Sequence, residues 1–339
     1  MIKEAIERLV DGRSLTQGEA EQVMKEIMDG LATPAQLGAF LVALRLKGEQ
    51  PDELLGMAKV MRAKATAVKT DGEVLDTCGT GGDGVRSFNI STAAAFVAAA
   101  AGLKVAKHGN RAVSSTCGSA DVIEALGGHI DFGPKEAKEA LDKVGFAFLF
   151  APNYHPAMKF AAGPRSEIGI RTIFNFLGPL ANPAGAKYQL LGVSDPRLAD
   201  SMAPILRSLG AKHAVVVHGE DGLDEVTLSG LTRVYEVKGD RTYKYSLSPE
   251  DFGYRRTTSS KDLLGGPPQE NAKTMREIFG GVKGRKRDSV VLNSAAALLA
   301  GEKVESMQEG VTLASQTIDS GAALAKLEEY VKFVPSTAK

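Results

Sequence analysis

Asp76-Thr77-Cys78-Gly79-Thr80-Gly81-Gly82-Asp83-Gly84 is the stretch on which the reading of this chain turns. The apolar pair Val74-Leu75 leads into it, and Phe88-Asn89-Ile90-Ser91-Thr92 with an alanine-rich run follows. An apolar strand therefore feeds a loop with almost no side chains, and the loop delivers the chain to a helix. Glycine permits positive φ and close backbone approach, while the free N–H groups and dipole of a helix start favour an anion, so the pattern predicts a phosphate cradle. Four glycines in six residues would weaken any regular element, which assigns them to the loop.

Downstream of this stretch, short apolar runs alternate with helical patterns. Val74-Leu75, Leu103 to Ala106, Phe146 to Phe150, Leu190 to Val193 and Ala214 to Val217 read as buried strands, with helices near 92–101, 119–127, 134–143 and 196–208. That alternation predicts an α/β domain with a mostly parallel central sheet and helices on both faces, whose ligands lie beyond the carboxyl ends of the strands. Residues 233–245 alternate around Gly239-Asp240 and read as a hairpin, and amphipathic helices close the chain from about 270. Upstream, the first 65 residues read as helices only. Ile2, Ala5, Ile6, Leu9 and Val10 share one helical face, Thr16 with Glu19 forms a capping box, Thr33-Pro34 opens a third helix with Leu37, Phe40, Leu41 and Leu44 inward, and Pro51 opens a fourth.

Bulk properties narrow the function classes. The 339 residues suggest two domains on a prior of roughly 150 residues each. Lys plus Arg (41) balances Asp plus Glu (41), so no overall field attracts nucleic acid or an anionic membrane, and any anion site must be local. The amino terminus mixes acids, bases and apolar residues at helical spacing, unlike a targeting peptide, and Ala93 to Leu103 is too short to span a bilayer; a cytoplasmic protein is expected. Cys78 and Cys117 fall in the glycine-rich stretches and read as reduced structural thiols.

Gly79, Gly81 and Gly84 satisfy the spacing of a dinucleotide fingerprint, which demands an acid about 20 residues on for the ribose. The next strand instead ends in Lys107-His108-Gly109-Asn110-Arg111, a cation where that acid should stand. Val85-Arg86 after Gly84 excludes a P-loop, leaving a phosphorylated sugar as the better ligand. Ser91 and Thr92 serve either as helix caps or as caps that also hold ligand. Lys107 reads either as a solvated strand-end lysine or as the start of a second small-residue loop, running through Ser114-Ser115 to Gly118-Ser119 and facing the first. Two such loops suit a ligand with two phosphate groups. Asp224-Glu225, after a strand ending Val217-His218-Gly219, is either a solvated acidic pair or a Mg²⁺ site completed by phosphate oxygens and water. Arg165, in a glycine- and proline-rich context, suits a carboxylate partner or a surface helix start. His108 and His155 lack the neighbours a zinc site needs, and Lys283-Gly284-Arg285-Lys286-Arg287 reads as a solvated basic loop.

Four segments in this order, Asp76 to Thr92, Lys107 to Asp121, Arg171 to Pro183 and the Asp224-Glu225 pair, closely resemble the anthranilate phosphoribosyltransferases, and the resemblance covers essentially the whole chain. It implies the nucleoside phosphorylase-like phosphoribosyltransferase fold: a small all-helical domain (1–68, with a returning segment near 165–187) hinged to an α/β domain (69–164 and 188–339), usually in a homodimer. It implies that phosphoribosyl pyrophosphate is held by Gly79, Gly82, Asp83, Ser87, Asn89, Ile90, Ser91 and Thr92, by Lys107, His108, Gly109, Asn110, Arg111, Ala112, Val113, Ser114 and Ser115, and by Ser119. Gly79, Asn110 and Arg165 would address anthranilate. Ser91 with Glu225 would bind one Mg²⁺, and Asp224 with Glu225 a second. Lys107, Arg165 and Glu225 would act electrostatically and by positioning. Ser87 stands where many relatives carry threonine, and the hydroxyl is kept. The nearest enzyme alternative is a pyrimidine nucleoside phosphorylase, which would not need the acidic pair; a non-catalytic nucleic-acid-binding paralogue is opposed by the zero net charge.

Overall fold

Local sequence accounts for the first helices. The computed structural model describes residues 1–82, 84–112, 116–257 and 260–336 and opens with α1 (Ile2–Val10), α2 (Gln17–Met28), α3 (Pro34–Lys47) and α4 (Pro51–Lys64). Thr16 and Glu19 form a reciprocal capping box on α2, as Thr33 and Gln36 do on α3, each worth about 1 kcal/mol. Proline occupies the first turn of α3 and α4, where its missing N–H has no intrahelical partner to lose. Glu53 is fully buried, yet its carboxylate accepts from Leu15 N (2.9 Å), Gln50 N (2.8 Å) and Lys47 Nζ (2.9 Å), which offsets the desolvation. The expected apolar face of α1 is narrower than its pattern: Ile2, Ala5 and Leu9 are buried, whereas Val10 is 71% exposed.

Further along run β1 (Leu75–Gly79), α5 (Ile90–Ala100), β2 (Val105–Gly109), α6 (Ser119–Ala125), α7 (Pro134–Lys143), β3 (Phe146–Phe150), α8 (Ala151–Tyr154), α9 (Lys159–Ile168), α10 (Phe174–Leu180), β4 (Tyr188–Gly192), α11 (Pro196–Ser208), β5 (His213–Gly219), β6 (Thr232–Lys238), β7 (Arg241–Leu247), α12 (Pro268–Phe279), α13 (Arg285–Ala300), α14 (Met307–Asp319) and α15 (Ala322–Lys332). The chain divides into two compact units, one of Met1–Ala67 with Pro152–Gly185 and one of Val68–Ala151 with Ala186–Lys339. The first is all helical.

The second is built on one seven-stranded sheet in the order β3-β2-β1-β4-β5-β6-β7, parallel from β3 through β5 and antiparallel in the β5-β6-β7 meander. From β1 the chain winds one way to β2 and β3, then returns to β4 on the other side of β1. Right-handed crossovers put α5 and α11 on opposite faces, and the β1/β4 boundary becomes the topological switch point where a crevice opens beyond the strand ends. The register aligns those ends, with Gly79 of β1 beside Gly192 of β4. Helix α5 is apolar on every side and buried from Ala93 to Ala99; its alanines allow α13 to lie close, while Phe96 stacks on Phe146 (ring centroids 4.3 Å) and meets Phe279 and Tyr330 edge-on.

Three expectations shift. Asp76, Thr77 and Cys78 belong to β1 rather than to the glycine loop, because their backbone pairs with β4 and their side chains are buried with hydrogen-bond partners. The strand expected from Leu103 begins at Val105 and reaches Gly109, so Lys107 is mid-strand and 1% exposed, not a solvated strand end. The basic run 283–287 is no solvated loop: Arg285 opens α13, and Arg287 is buried against Asp319 at 2.9 Å.

Candidate functional site

The floor of the site is the end of β1. Past Gly79, Thr80 N donates to Gly192 O (2.9 Å), Ser194 N donates to Thr80 Oγ1 (3.1 Å), and the Ser194 hydroxyl donates to Gly81 O (2.8 Å), so the stump of β4 holds the base of the glycine loop. Gly81, Gly82 and Gly84 all take positive φ (65°, 72° and 73°), the conformation that needs glycine here. Gly79 and Gly192 serve differently, by letting Asp224 come close. A Cβ on Gly79 would lie 2.9 Å from Asp224 Cγ, and one on Gly192 would lie 2.5 Å from the Asp224 carbonyl carbon.

Asp224 and Glu225 follow β5 and are 9% and 8% exposed, which corrects the reading of a solvated acidic pair. Asp224 Oδ2 accepts from Gly81 N at 2.7 Å, and Glu225 Oε1 accepts from Ser91 N at 3.1 Å, in the first turn of α5 where the helix dipole favours an anion. Asn293, fully buried on α13, clamps the adjoining peptide by accepting from Val226 N (2.8 Å) and donating to Val226 O (3.0 Å). Beneath them, Lys107 Nζ donates to Thr77 O and reaches Ser91 Oγ at 3.4 Å. Burial lowers the Lys107 pKa, and Asp76, the Cys78 thiol, Glu225 and Asp224 oppose that pull. The strand-borne cation is thus the internal countercharge of an acidic cluster. Asn89, not Ser91 or Thr92, is the N-cap residue of α5, and its side chain makes no cap bond; Ser91 lies half-buried at the crevice, whereas Thr92 is buried and its hydroxyl has no hydrogen-bond partner among the described residues. Ile90 is core, and Ser87 forms an isolated antiparallel bridge with Leu264.

The second loop leaves β2 at Gly109. A side chain there would strike Phe148 (2.7 Å) as well as the Ser119 hydroxyl, which itself donates to Asn110 O at 3.3 Å. Asp121 gathers the loop ends by accepting from Ala112 N (2.9 Å) and Gly118 N (2.8 Å). Arg111 is exposed but committed: it pairs with Glu124 and with Asp121 (3.2 Å) and lies over the Phe150 ring. His108 is buried, its backbone N–H donating to Asp76 Oδ1 (3.1 Å). Asp83, Val113, Ser114 and Ser115 lie outside the described residues.

Arg165 belongs to the helical unit and sits within α9 rather than in a loop; Pro164 is accommodated inside that helix. Its guanidinium lies over the Phe174 ring at 4.8 Å, half-buried, with its pKa lowered by burial. Among the described residues no group of three His, Cys, Asp or Glu side chains gathers as a metal cage, and no helix is long and apolar enough to cross a membrane. Asp224, Glu225 and Ser91 bring hard oxygen atoms to this end of the sheet, linked by the bond from Ser91 N to Glu225. Ser194, Asn271 and Asn293 were missed by the sequence reading. Ser194 ends an apolar strand run and could have been found that way; Asn271 follows Gln269-Glu270 and Asn293 precedes Ser294 in helical patterns, so neither carries a local signal.

Two family models match this chain: the glycosyl transferase family a/b domain over residues 71–324 and the glycosyl transferase family helical bundle domain over residues 3–65. The anthranilate phosphoribosyltransferase of Acetivibrio thermocellus is 55% identical over 337 residues, 99% of this chain and 97% of that protein. The enzyme of the same name from Moorella thermoacetica is 52% identical over 339 residues, the full length of both. Among solved structures, the chain is similar to anthranilate phosphoribosyltransferase from Thermus thermophilus (TM-score 0.90, 45% identity, 96% of this chain and 98% of that one). It is also similar to the Saccharomyces cerevisiae enzyme in complex with PRPP and Mg (TM-score 0.88, 28% identity, 97% and 96%). The same yeast enzyme in complex with 4-fluoroanthranilate gives a TM-score of 0.84 at 27% identity, with the same coverage.

Proposed function

This chain belongs to the anthranilate phosphoribosyltransferase family, and from that premise we propose that it transfers the phosphoribosyl group of phosphoribosyl pyrophosphate (PRPP) to the amine of anthranilate, giving N-(5-phosphoribosyl)anthranilate and pyrophosphate, a step of tryptophan biosynthesis. The observation that carries the reading is the meeting, at the β1/β4 switch point, of a positive-φ glycine loop, the amino end of α5 and a buried acidic pair.

In this reading the N–H groups of Gly79, Gly82 and Asp83, with Ser87, Asn89, Ser91 and the start of α5, receive the pyrophosphate and ribose; the run Lys107 to Ser115 and Ser119 receive the remainder of PRPP. Ser91, Asp224 and Glu225 fit Mg²⁺ because they are hard oxygen donors, and the pair is too few to fill an octahedron, leaving room for phosphate oxygens and water. Two ions are assigned, one on Ser91 and Glu225 and one on Asp224 and Glu225. When bound, Mg²⁺ supplies charge neutralisation of the departing pyrophosphate. Both carboxylates accept backbone N–H bonds, so in the free site the Gly81 and Ser91 amides keep the acids aimed at the crevice.

The chemical step lengthens the bond between ribose C1 and the pyrophosphate oxygen, and positive charge accumulates on C1 and the ring oxygen. The base of the loop at Thr80 and Gly81 is already fixed by the end of β4 and by Ser194, which favours stabilisation of the leaving anion by loop N–H groups with little reorganisation. The anthranilate amine is a neutral nucleophile and needs placement more than a strong base. Arg165, with Asn110 and Gly79, is assigned to anthranilate; a fork of guanidinium N–H groups suits its carboxylate, and stacking over Phe174 holds the fork. The helical unit, with Pro152–Gly185 as its returning segment, and the α/β unit are assigned as the two domains of each protomer in a homodimer. Incubation with anthranilate, PRPP and Mg²⁺ should yield N-(5-phosphoribosyl)anthranilate by mass spectrometry with one pyrophosphate per product. Phosphorolysis of a pyrimidine nucleoside in EDTA, with no anthranilate product, would replace this reading by a nucleoside phosphorylase.

A further inference from the structure

Asn271 is the fourth residue of α12 and is 2% exposed, yet it lies outside every segment that marks the substrate site. Its Oδ1 accepts from Gly266 N at 2.8 Å, and its Nδ2 donates to Asn89 Oδ1 at 3.0 Å. Asn89 in turn donates Nδ2 to the Cys117 carbonyl at 3.2 Å. Three separate stretches are joined in this way: the strap 263–266, the end of the glycine loop, and the end of the second loop. The relay explains why Asn89, at the N-cap of α5, makes no cap bond with its side chain.

The strap adds its own grip on the glycine loop. Phe88 N donates to Leu263 O (3.0 Å), Gly265 N donates to Arg86 O (2.9 Å), and Ser87 pairs with Leu264. Gly265 lies so close that a Cβ would sit 2.8 Å from Phe88 Cα, and Lys286 covers the Phe88 ring at 5.5 Å. Arg86, just before the paired residue, takes a positive φ of 56°, a conformation costly to a non-glycine residue and sustained only where the surroundings impose it. Asn271 touches the second loop directly as well: burial pushes the Cys117 thiol up to about 11, and a hydrogen bond with Asn271 works against that rise.

We infer that Asn271 is a positioning residue for PRPP, which locks the glycine loop and the second loop into one rigid receiver through Asn89. This rests on the assignment of those two loops to PRPP. The relay has a direction that cannot be reversed at no cost. If the Asn89 amide flipped to accommodate an acceptor at position 271, its oxygen would face the Cys117 carbonyl. Asn271→Asp, which keeps the volume and the acceptor for Gly266 N, therefore breaks one link or the other.

The test uses the full-length enzyme and the variants Asn271→Ala, Asn271→Asp and Asn89→Ala with the double variant. Loss of one buried hydrogen bond should lower kcat/KM for PRPP by about tenfold to a hundredfold, with the anthranilate KM unchanged within about twofold. Asn271→Ala added to Asn89→Ala should cost less than it does alone, because the bond the two share is already gone and only the Asn271 contacts with Gly266 and Cys117 remain to be lost. Hydrogen exchange, which needs no turnover, should quicken at residues 88–92 and 117–120 together in Asn271→Asp. Equal loss of turnover with both substrates in proportion to the folded fraction, additive double-variant effects, or faster exchange confined to 263–271 would overturn the inference. Should Asn271→Ala fail to fold, the kinetics and exchange of Asn271→Asp decide alone. A wild-type enzyme that makes no product from anthranilate while exchange still couples the two loops would refute the substrate assignment and leave the coupling standing.

Discussion

Replacing Gly79 by alanine separates the role of the acidic pair from that of the scaffold. The added methyl would lie 2.9 Å from the Asp224 carboxylate carbon, where ordinary contact begins at 3.4 Å, and closer still to Oδ2. Gly79 has no positive φ, so the backbone itself accepts alanine, and the clash falls on the far end of a side chain that can swing away. Clearing the methyl moves Oδ2, the atom nearest to it, by about 1 Å, which takes it from 2.7 Å to beyond hydrogen-bond range of Gly81 N. Losing a hydrogen bond to a charged group costs about 1.5–3 kcal/mol, equivalent to about ten- to a hundredfold at 1.4 kcal/mol per decade. The expected result is a fall of that size in kcat/KM for PRPP and a raised Mg²⁺ requirement, read from initial rates with PRPP and Mg²⁺ varied. The thermal midpoint should move little. Gly192→Ala is the contrast: its methyl meets the Asp224 backbone rather than a mobile carboxylate, so it should lower stability by about 1–3 kcal/mol or more. Gly79→Ala with PRPP kcat/KM and Mg²⁺ dependence both within twofold of wild type would refute the link between Asp224 and the substrate.

Glu225→Gln retains a carbonyl for Ser91 N but removes the charge; activity should drop by about 10²-fold or more with little change in stability, and titration of rate against Mg²⁺ checks it. Arg165→Lys keeps a cation but loses the fork and the stacking over Phe174, so the anthranilate KM should rise about tenfold while the PRPP KM holds, measured by varying each substrate in turn. His155 is buried in the helical unit, and burial lowers its pKa below the ordinary 6.5 against an opposing hydrogen bond to the Ala181 backbone carbonyl. The unfolded chain then binds the proton more readily, so stability is held above pH 6.5 and declines as the pH falls from there toward the folded value. Urea midpoints at pH 7.5 and 5.5 should differ less in His155→Phe than in wild type; an unchanged difference would remove His155 from the acid response.

What could be read from the sequence was local or strongly patterned. The capping box from Thr16 to Glu19 is a four-residue signal and the Thr33-Pro34 cap a two-residue one, and apolar runs such as Phe146 to Phe150 leave few alternatives to a buried strand. The glycine loop announced itself because nothing else tolerates that composition. Asp76-Thr77-Cys78 was misplaced because a polar segment reads as loop, and only the pairing with β4 and the bonds to Ser91 O, His108 N and Gln189 Nε2 make it a strand. The same long-range dependence hid Arg287, whose partner Asp319 lies 32 residues on, and Asn271, whose partner lies 182 residues back. Asp224-Glu225 was legible as a candidate pair; that both are buried and aimed at the glycine loop and α5 could come only from the packing of β5 beside β4.

The most direct test of the account follows anthranilate fluorescence with the purified protein while PRPP and Mg²⁺ are supplied together, singly and not at all. Fluorescence should disappear only when both are present, and EDTA should stop it. A complete mixture that leaves anthranilate untouched, or a loss that proceeds equally in EDTA, would contradict the assignment of the glycine loops and the Asp224-Glu225 pair to metal-assisted phosphoribosyl transfer.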